Sequence, residues 1–101
     1  MSKILDEPVR ADVITLAGEL DLMTAPELRS RLTLAETTAA ALIVLDMSQV
    51  SFLDAQCAGI IVAAGETARR RGARLRVDGL HGTPKVVFDL LGLGSLMEGS
   101  G

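Results

Sequence analysis

The sequence predicts an α/β domain whose sheet is small and largely parallel. Short β-branched apolar runs alternate with amphipathic helical stretches in the order strand, helix, strand, helix, strand, helix, and only a few residues connect them. Such alternation calls for right-handed crossovers between parallel strands. The chain has 101 residues, which is enough for one hydrophobic core and too short for two, and it contains no internal repeat or linker.

The first strand is Val13-Ile14-Thr15-Leu16-Ala17, stopping at Gly18. Thr24 and Glu27 have the T-x-x-E spacing of a capping box, and Pro26 falls in a first turn, where its missing N–H costs little. Leu28, Leu32 and Ala35 follow at helical spacing with Leu34 off that line, giving a helix from about Ala25 to Thr37. Ala41-Leu42-Ile43-Val44-Leu45 is uninterrupted and apolar, as in a strand covered on both faces. Residues 48–51 are expected to form a polar turn, after which Phe52 and Leu53 return to the core.

From Gln56 a second helix places Ile60, Ile61, Ala64 and Ala68 on one face, and it closes on Arg69, Arg70, Arg71 and Gly72. Arg74-Leu75-Arg76-Val77-Asp78 alternates, as a strand with one wet face does. Thr83 and Pro84 are read as the cap and first turn of a last helix, with Val87, Leu90 and Leu91 as its buried stripe and Gly92 as its end. Ile4, Leu5 and Val9 could add a short strand within residues 3–12, although Pro8 interrupts it. One domain is expected over residues 1–101, with its core from about 13 to 97 and a frayed tail at 98–101.

Composition excludes several function classes. The chain has two Phe, no Trp and no Tyr, so the core is aliphatic and bases have almost nothing to stack on. The net charge of −3 offers no basic field for a phosphate backbone, so no DNA or RNA binding is expected. The cluster Arg69 to Arg71, with Arg74 and Arg76, reads as a solvated helix end followed by a strand's exposed face. Residues 1–10 lack a signal-like apolar segment, and no apolar run reaches the roughly 18 residues of a membrane span. The expected location is the cytoplasm.

Two segments carry a specific resemblance. The first is Gly18-Glu19-Leu20-Asp21 followed by Thr24-Ala25-Pro26-Glu27-Leu28. The second is Leu45-Asp46-Met47-Ser48, then Val50-Ser51-Phe52-Leu53-Asp54, then Gly59. Together they resemble the STAS family, whose founding members are bacterial anti-sigma factor antagonists, over residues 13–97. The resemblance implies a single-domain STAS-like fold: a small, mostly parallel sheet, mixed at its edge, with helices packed mainly on one side. It implies a role in transcription, in which the protein binds an anti-sigma factor, often an ATP-binding kinase, and so releases a sigma factor. Glu19, Asp21, Thr24, Asp54, Ala55, Gln56 and Cys57 would then form the partner-binding surface.

In such proteins the kinase phosphorylates a serine directly after an aspartate matching Asp54, and this breaks the complex. Here that position is Ala55, which has no hydroxyl. A phosphoserine would add close to two negative charges at the partner surface. Without it the surface stays in its unmodified form, so the protein either binds constitutively or is controlled elsewhere. Ser51 and Ser48 are the nearest other hydroxyls, and Ser51 is the candidate for a displaced phosphoacceptor.

Other singled-out residues have structural readings. Asp21 and Asp54 can each satisfy helix amides as well as meet a partner, and Thr24 reads first as a helix cap. Cys57, the single cysteine, can be a small packing residue or a low-pKa thiol at a helix start. His81 stands alone in a glycine-flanked turn with no second histidine, so no metal site is expected. Neither G-x-x-x-x-G-K-[ST] nor G-x-G-x-x-G occurs, and no Ser/His/Asp set can be identified. No enzyme activity and no cofactor are expected. The competing expectation, which the missing serine strengthens, is a STAS-type structural subunit of a lipid-transport ATP-binding cassette complex.

Overall fold

The computed structural model describes residues 11–94 of the chain. Its elements are β1 (Ala11–Leu20), α1 (Ala25–Glu36), β2 (Leu42–Leu53), α2 (Ala55–Arg70), β3 (Arg74–Asp78) and α3 (Gly82–Leu90). The strands form one sheet in the order β1-β2-β3, with both pairings parallel. The two crossovers step the same way across the sheet, and right-handed connections then deliver α1 and α2 to the same face. No mixed edge is seen among the described residues, and of the possible strand over residues 3–12 only Ala11 and Asp12 are described, as the start of β1. The tail at 98–101 lies outside the described residues.

The core lies between the sheet and its helices. Leu16, Ile43, Leu45, Met47 and Val77 from the strands meet Leu28, Leu32, Ile61, Ala64 and Ala68 from α1 and α2, and Phe88 from α3 completes the cluster. The opposite face of the sheet carries Val13, Val44 and Arg76 in one register row and Thr15, Asp46 and Asp78 in the next. Arg76 clasps Asp78 through two bonds of 2.8 and 2.9 Å, so its guanidinium lies folded along the strand. Leu28, Leu32 and Ala35 are buried while Leu34 is exposed, as the helical spacing predicts.

Five expectations are corrected. Residues 48–51 do not form a turn: β2 continues through them to Leu53. The strand pairing slips between Thr15 and Ala17 and again between Gly18 and Glu19, so Met47, Val50 and Leu53 are buried at intervals of three instead of two. Phe52 consequently points outward and is 41% exposed. In α3 the helix starts at Gly82 after His81, not at Thr83, and its buried residues are Pro84 and Phe88. Leu90 is 80% exposed and Leu91 47%, whereas Val87 packs only partly against the core. Finally, Thr24 makes no side-chain cap to α1, so the capping box with Glu27 does not form.

The cation-then-glycine ending of α2 forms as expected. Arg69 and Arg70 occupy its last turn, and Gly72 takes a φ of 83°, a conformation that side-chain-bearing residues rarely adopt. Gly72 and Ala73 donate to the carbonyls of Arg69 and Ala68, closing the helix end. Arg71 reaches across to the carbonyl of Ala35 at 3.5 Å.

Candidate functional site

The carboxyl ends of β1 and β2 lie side by side, with Leu20 paired to Leu53, and Asp54 donates its amide to the carbonyl of Leu20 at 3.1 Å. Loops at the carboxyl ends of parallel strands are where open α/β sheets place their binding sites. Here the residues that follow these ends are the two acids singled out in the sequence, Asp21 and Asp54.

Asp21 organises the β1–α1 loop. Its Oδ1 accepts from the amides of Met23 at 2.9 Å and Thr24 at 3.3 Å, while its carbonyl accepts from the amides of Thr24 and Ala25 at 3.1 and 2.9 Å. The hydroxyl of Thr24 turns back instead of forward into the helix. It accepts from the amide of Asp21 at 2.9 Å and donates to the carbonyl of Glu19 at 2.9 Å. Thr24 therefore staples the loop between Glu19 and Asp21, which is why it is unavailable as a cap. Glu19 itself is exposed on β1 beside Phe52.

Asp54 is the N-cap of α2. Its backbone is extended, and its Oδ1 accepts from the amide of Cys57 at 2.8 Å, satisfying one of the amides left open at a helix start. Ala55 and Gln56 follow as the exposed first residues of the helix, and Cys57 turns inward and is fully buried. The thiol of Cys57 donates to the carbonyl of Asp21 at 3.6 Å, joining the two loops. Asp21, Thr24, Asp54 and Cys57 are thus drawn into one hydrogen-bonded unit, with Ala55 and Gln56 presented at its surface.

Burial pushes the Cys57 thiol up to about 11, and the hydrogen bond and negative charge of Asp54 and the charge of Asp21 act in the same direction, opposed only by Arg29. A buried thiol held protonated is a poor nucleophile. The reading of Cys57 as a low-pKa sensor is set aside in favour of packing and tethering.

The apolar rim of this site is not among the residues that the sequence pattern singles out. Leu22 and Met23, next to Asp21, are 69% and 85% exposed, and Phe52 lies two residues before Asp54. The available signal is the adjacent bulky apolar pair Leu22-Met23 directly after Asp21, but nothing in periodicity says that a loop pair projects outward. Exposed apolar groups beside polar ones mark surfaces that meet other macromolecules.

The remaining candidates lie elsewhere. Ser51 is exposed within β2, with its backbone in the strand. Ser48 donates its amide to Asp46 Oδ1 at 3.0 Å, which holds the Asp46 carboxyl below its ordinary value. His81 donates from Nε2 to the carbonyl of Ser48 at 2.9 Å, and Gly79 packs against the same residue so closely that an added Cβ would lie 2.9 Å from Ser48 Cβ. This contact locks the β3–α3 connection to the middle of β2. Among the described residues, no group of three or more His, Cys, Asp or Glu comes together as a metal site would require. No described helix is long and apolar enough to cross a membrane.

A model of the family described as "Mlab, STAS domain" matches residues 5–98, and the chain belongs to the STAS domain family. Within it, the chain is 29% identical over 85 residues to the anti-sigma-B factor antagonist of Listeria monocytogenes, covering 84% of this chain and 75% of that one. It is 31% identical over 86 residues to the anti-sigma-B factor antagonist of Bacillus subtilis, covering 84% of this chain and 77% of that one. Among solved structures, the unphosphorylated anti-sigma factor antagonist SpoIIAA superposes with a TM-score of 0.77 at 25% identity, over 89% of this chain and 79% of that chain. The small α/β domain of three parallel strands and three helices is thus the STAS fold, and its relatives are named as anti-sigma factor antagonists.

Proposed function

We propose that this protein is a cytoplasmic anti-sigma factor antagonist whose contact surface is permanently in the unmodified, binding-competent form. The observation that carries this reading is the joined Asp21–Cys57–Asp54 unit with exposed Ala55 on top. Asp21 and Asp54 are held in place by main-chain amides, and position 55, directly after Asp54, carries no hydroxyl.

The partner is an anti-sigma factor of the ATP-binding kinase type, and its capture releases the sigma factor it holds. Glu19, Asp21 and Asp54 supply charge, Gln56 a hydrogen-bonding side chain, and Leu22, Met23 and Phe52 the apolar area. A phosphate carried at position 55 would bring about −1.5 to −2 charges to this surface at neutral pH. Ala55 cannot accept it, so binding depends on the amounts of the two proteins and on any control placed elsewhere, with Ser51 the remaining candidate hydroxyl. The protein acts by contact and carries out no catalysis.

The test is a titration of the purified protein against the anti-sigma factors of the same cell, with ADP and with ATP, followed by intact-mass measurement of both partners. The expected result is a stable complex with one of them in either nucleotide, with no phosphoryl gain on this chain. Failure to bind any of them, together with copurification from cells with a transporter ATPase, would replace this reading with that of a transport-complex subunit.

A further inference from the structure

We propose that Leu22 and Met23 anchor the contact surface by entering an apolar pocket of the anti-sigma factor, and that Thr24 is the positioning residue that holds them outward. The proposal rests on the contact function given above and names the chemistry the partner presents to this loop. Met23 is the most exposed large apolar residue among the described residues, at 85%, and Leu22 beside it is at 69%. A lone exposed apolar side chain is ordinary. Two in succession, directly after Asp21, extend the surface that Asp21 and Asp54 already define.

The loop is built to hold this pair in place. The amides of Asp21, Met23, Thr24 and Ala25 are all bonded inside it. The Thr24 hydroxyl fastens both of its ends, accepting from the Asp21 amide at 2.9 Å and donating to the Glu19 carbonyl at 2.9 Å. Those two bonds give nothing to α1, which Thr24 does not cap with its side chain. Their effect is confined to the segment that carries Leu22 and Met23. A segment fixed before docking has little freedom left to lose, so the area its side chains bury is converted more fully into affinity.

The acids of the surface are engaged differently. Oδ1 of Asp21 serves the amides of Met23 and Thr24, and Oδ1 of Asp54 serves the amide of Cys57. Their charge remains, but charge across an interface governs approach and specificity more than affinity. Affinity is concentrated in side chains that fill desolvated pockets. The chain has no Trp and no Tyr, and Phe88 is fully buried, so its anchors are aliphatic side chains or Phe52. A methionine suits such a pocket, because its unbranched thioether adapts to the space it meets.

Leu22→Ser and Met23→Ser are compared with Leu34→Ser, which removes a leucine of similar exposure, 67%, beside residues 11–14 at the other end of β1. Thr24→Val removes the stapling hydroxyl and Thr24→Ser keeps it. Each variant is measured beside the unaltered chain for thermal unfolding, sedimentation, and affinity for the anti-sigma factor that the unaltered chain binds. Leu22→Ser and Met23→Ser are expected to melt as the unaltered chain does and to lose roughly tenfold or more in affinity. Leu34→Ser should bind as before, and Thr24→Val should lose affinity that Thr24→Ser retains. Affinity that survives both loop variants and falls steeply with salt assigns binding to the acids, which overturns the anchors and leaves the contact function standing. An equal loss in Leu34→Ser overturns them as well. Unchanged affinity in Thr24→Val overturns the positioning role. If the loop variants lose self-association and keep partner affinity, the pair meets a second copy of this chain and the proposal fails. No binding of the unaltered chain to any anti-sigma factor defeats the contact function itself.

Discussion

The thiol of Cys57 donates to the main-chain carbonyl of Asp21 at 3.6 Å, linking residues 36 positions apart in the chain. A side chain that faces into the core thereby sets the spacing of two loops that face out of it. The surface residues of this site need no rigidity of their own, because their loops are pinned from beneath.

That arrangement predicts slow thiol chemistry. With the thiol pushed up to about 11, Cys57 should react with alkylating reagents far more slowly at pH 7.5 than a free thiol, and the rate should go on rising past pH 9. Because the folded-state value lies above the unfolded one, the stability this burial gives is present in full below the unfolded value and is lost as pH rises through about 11. Alkylation rates measured from pH 6 to 11 check it, and a plateau above pH 9 would contradict it.

Asp54 has a structural duty that must be separated from its contact duty. Asp54→Ala removes the acceptor for the Cys57 amide and should cost about 1 kcal/mol of stability, as lost helix caps do. Asp54→Asn keeps an acceptor oxygen and caps comparably, so it should unfold near the wild-type denaturant midpoint. If the aspartate charge matters to the partner, the asparagine variant binds weakly while remaining stable. Urea unfolding paired with calorimetric titration distinguishes the two duties.

Restoring the hydroxyl should restore the switch. Ala55 is exposed at the first residue of α2, so Ala55→Ser should alter stability by less than about 0.5 kcal/mol, as is usual for surface positions away from special features. Incubated with a kinase-type partner and ATP, the variant should gain one phosphoryl group by intact mass and then release the partner. The unaltered chain should gain none at this position.

Two glycines should answer substitution with opposite signs. Gly79 has a φ of 75°, and a Cβ there would come within 3.0 Å of the Ser48 amide nitrogen, so Gly79→Ala combines backbone strain with a clash against main chain. It should destabilise by more than about 1 kcal/mol. Gly59→Ala, in an open helical position, should stabilise by about 0.5 to 1 kcal/mol. Thermal melts of the pair read both signs in one experiment.

In α3 the two neighbouring apolar residues are far from equivalent. Phe88→Ala should cost about 3 to 5 kcal/mol, because the ring is fully buried and is the largest enclosed side chain among the described residues. Leu90→Gln should cost almost nothing, since Leu90 is largely exposed. Denaturant midpoints of the two variants check it.

Most of the sheet and the inner faces of α1 and α2 were legible because their spacing obeys periods of two and 3.6. Leu28, Leu32 and Ala35, and Ile61, Ala64 and Ala68, are buried as those periods require. The second half of β2 was not legible, because its slipped pairing spaces Met47, Val50 and Leu53 by three, which fits neither period and so looks like a turn. The α3 stripe failed for another reason: a helix of nine residues offers too few turns to fix a phase, and packing chose the face of Pro84 and Phe88, which leaves Leu90 and Leu91 exposed. Asp21 and Asp54 were recognisable as a pair through family likeness, whereas their physical link through Cys57 depends on tertiary closure that no local pattern encodes.

The two slips between β1 and β2 have a consequence for how this chain can vary. Each adds one residue to β2 relative to β1, and the strand absorbs it locally: Val50, past one slip, and Leu53, past both, still face the core opposite Gly18 and Leu20. Deleting one residue at either slip would therefore remove an irregularity and leave Leu53 facing inward, with the start of α2 still against the β1–α1 loop. The stretch between Asp46 and Phe52 is thus a slack length of strand that can change by single residues without turning the contact surface over.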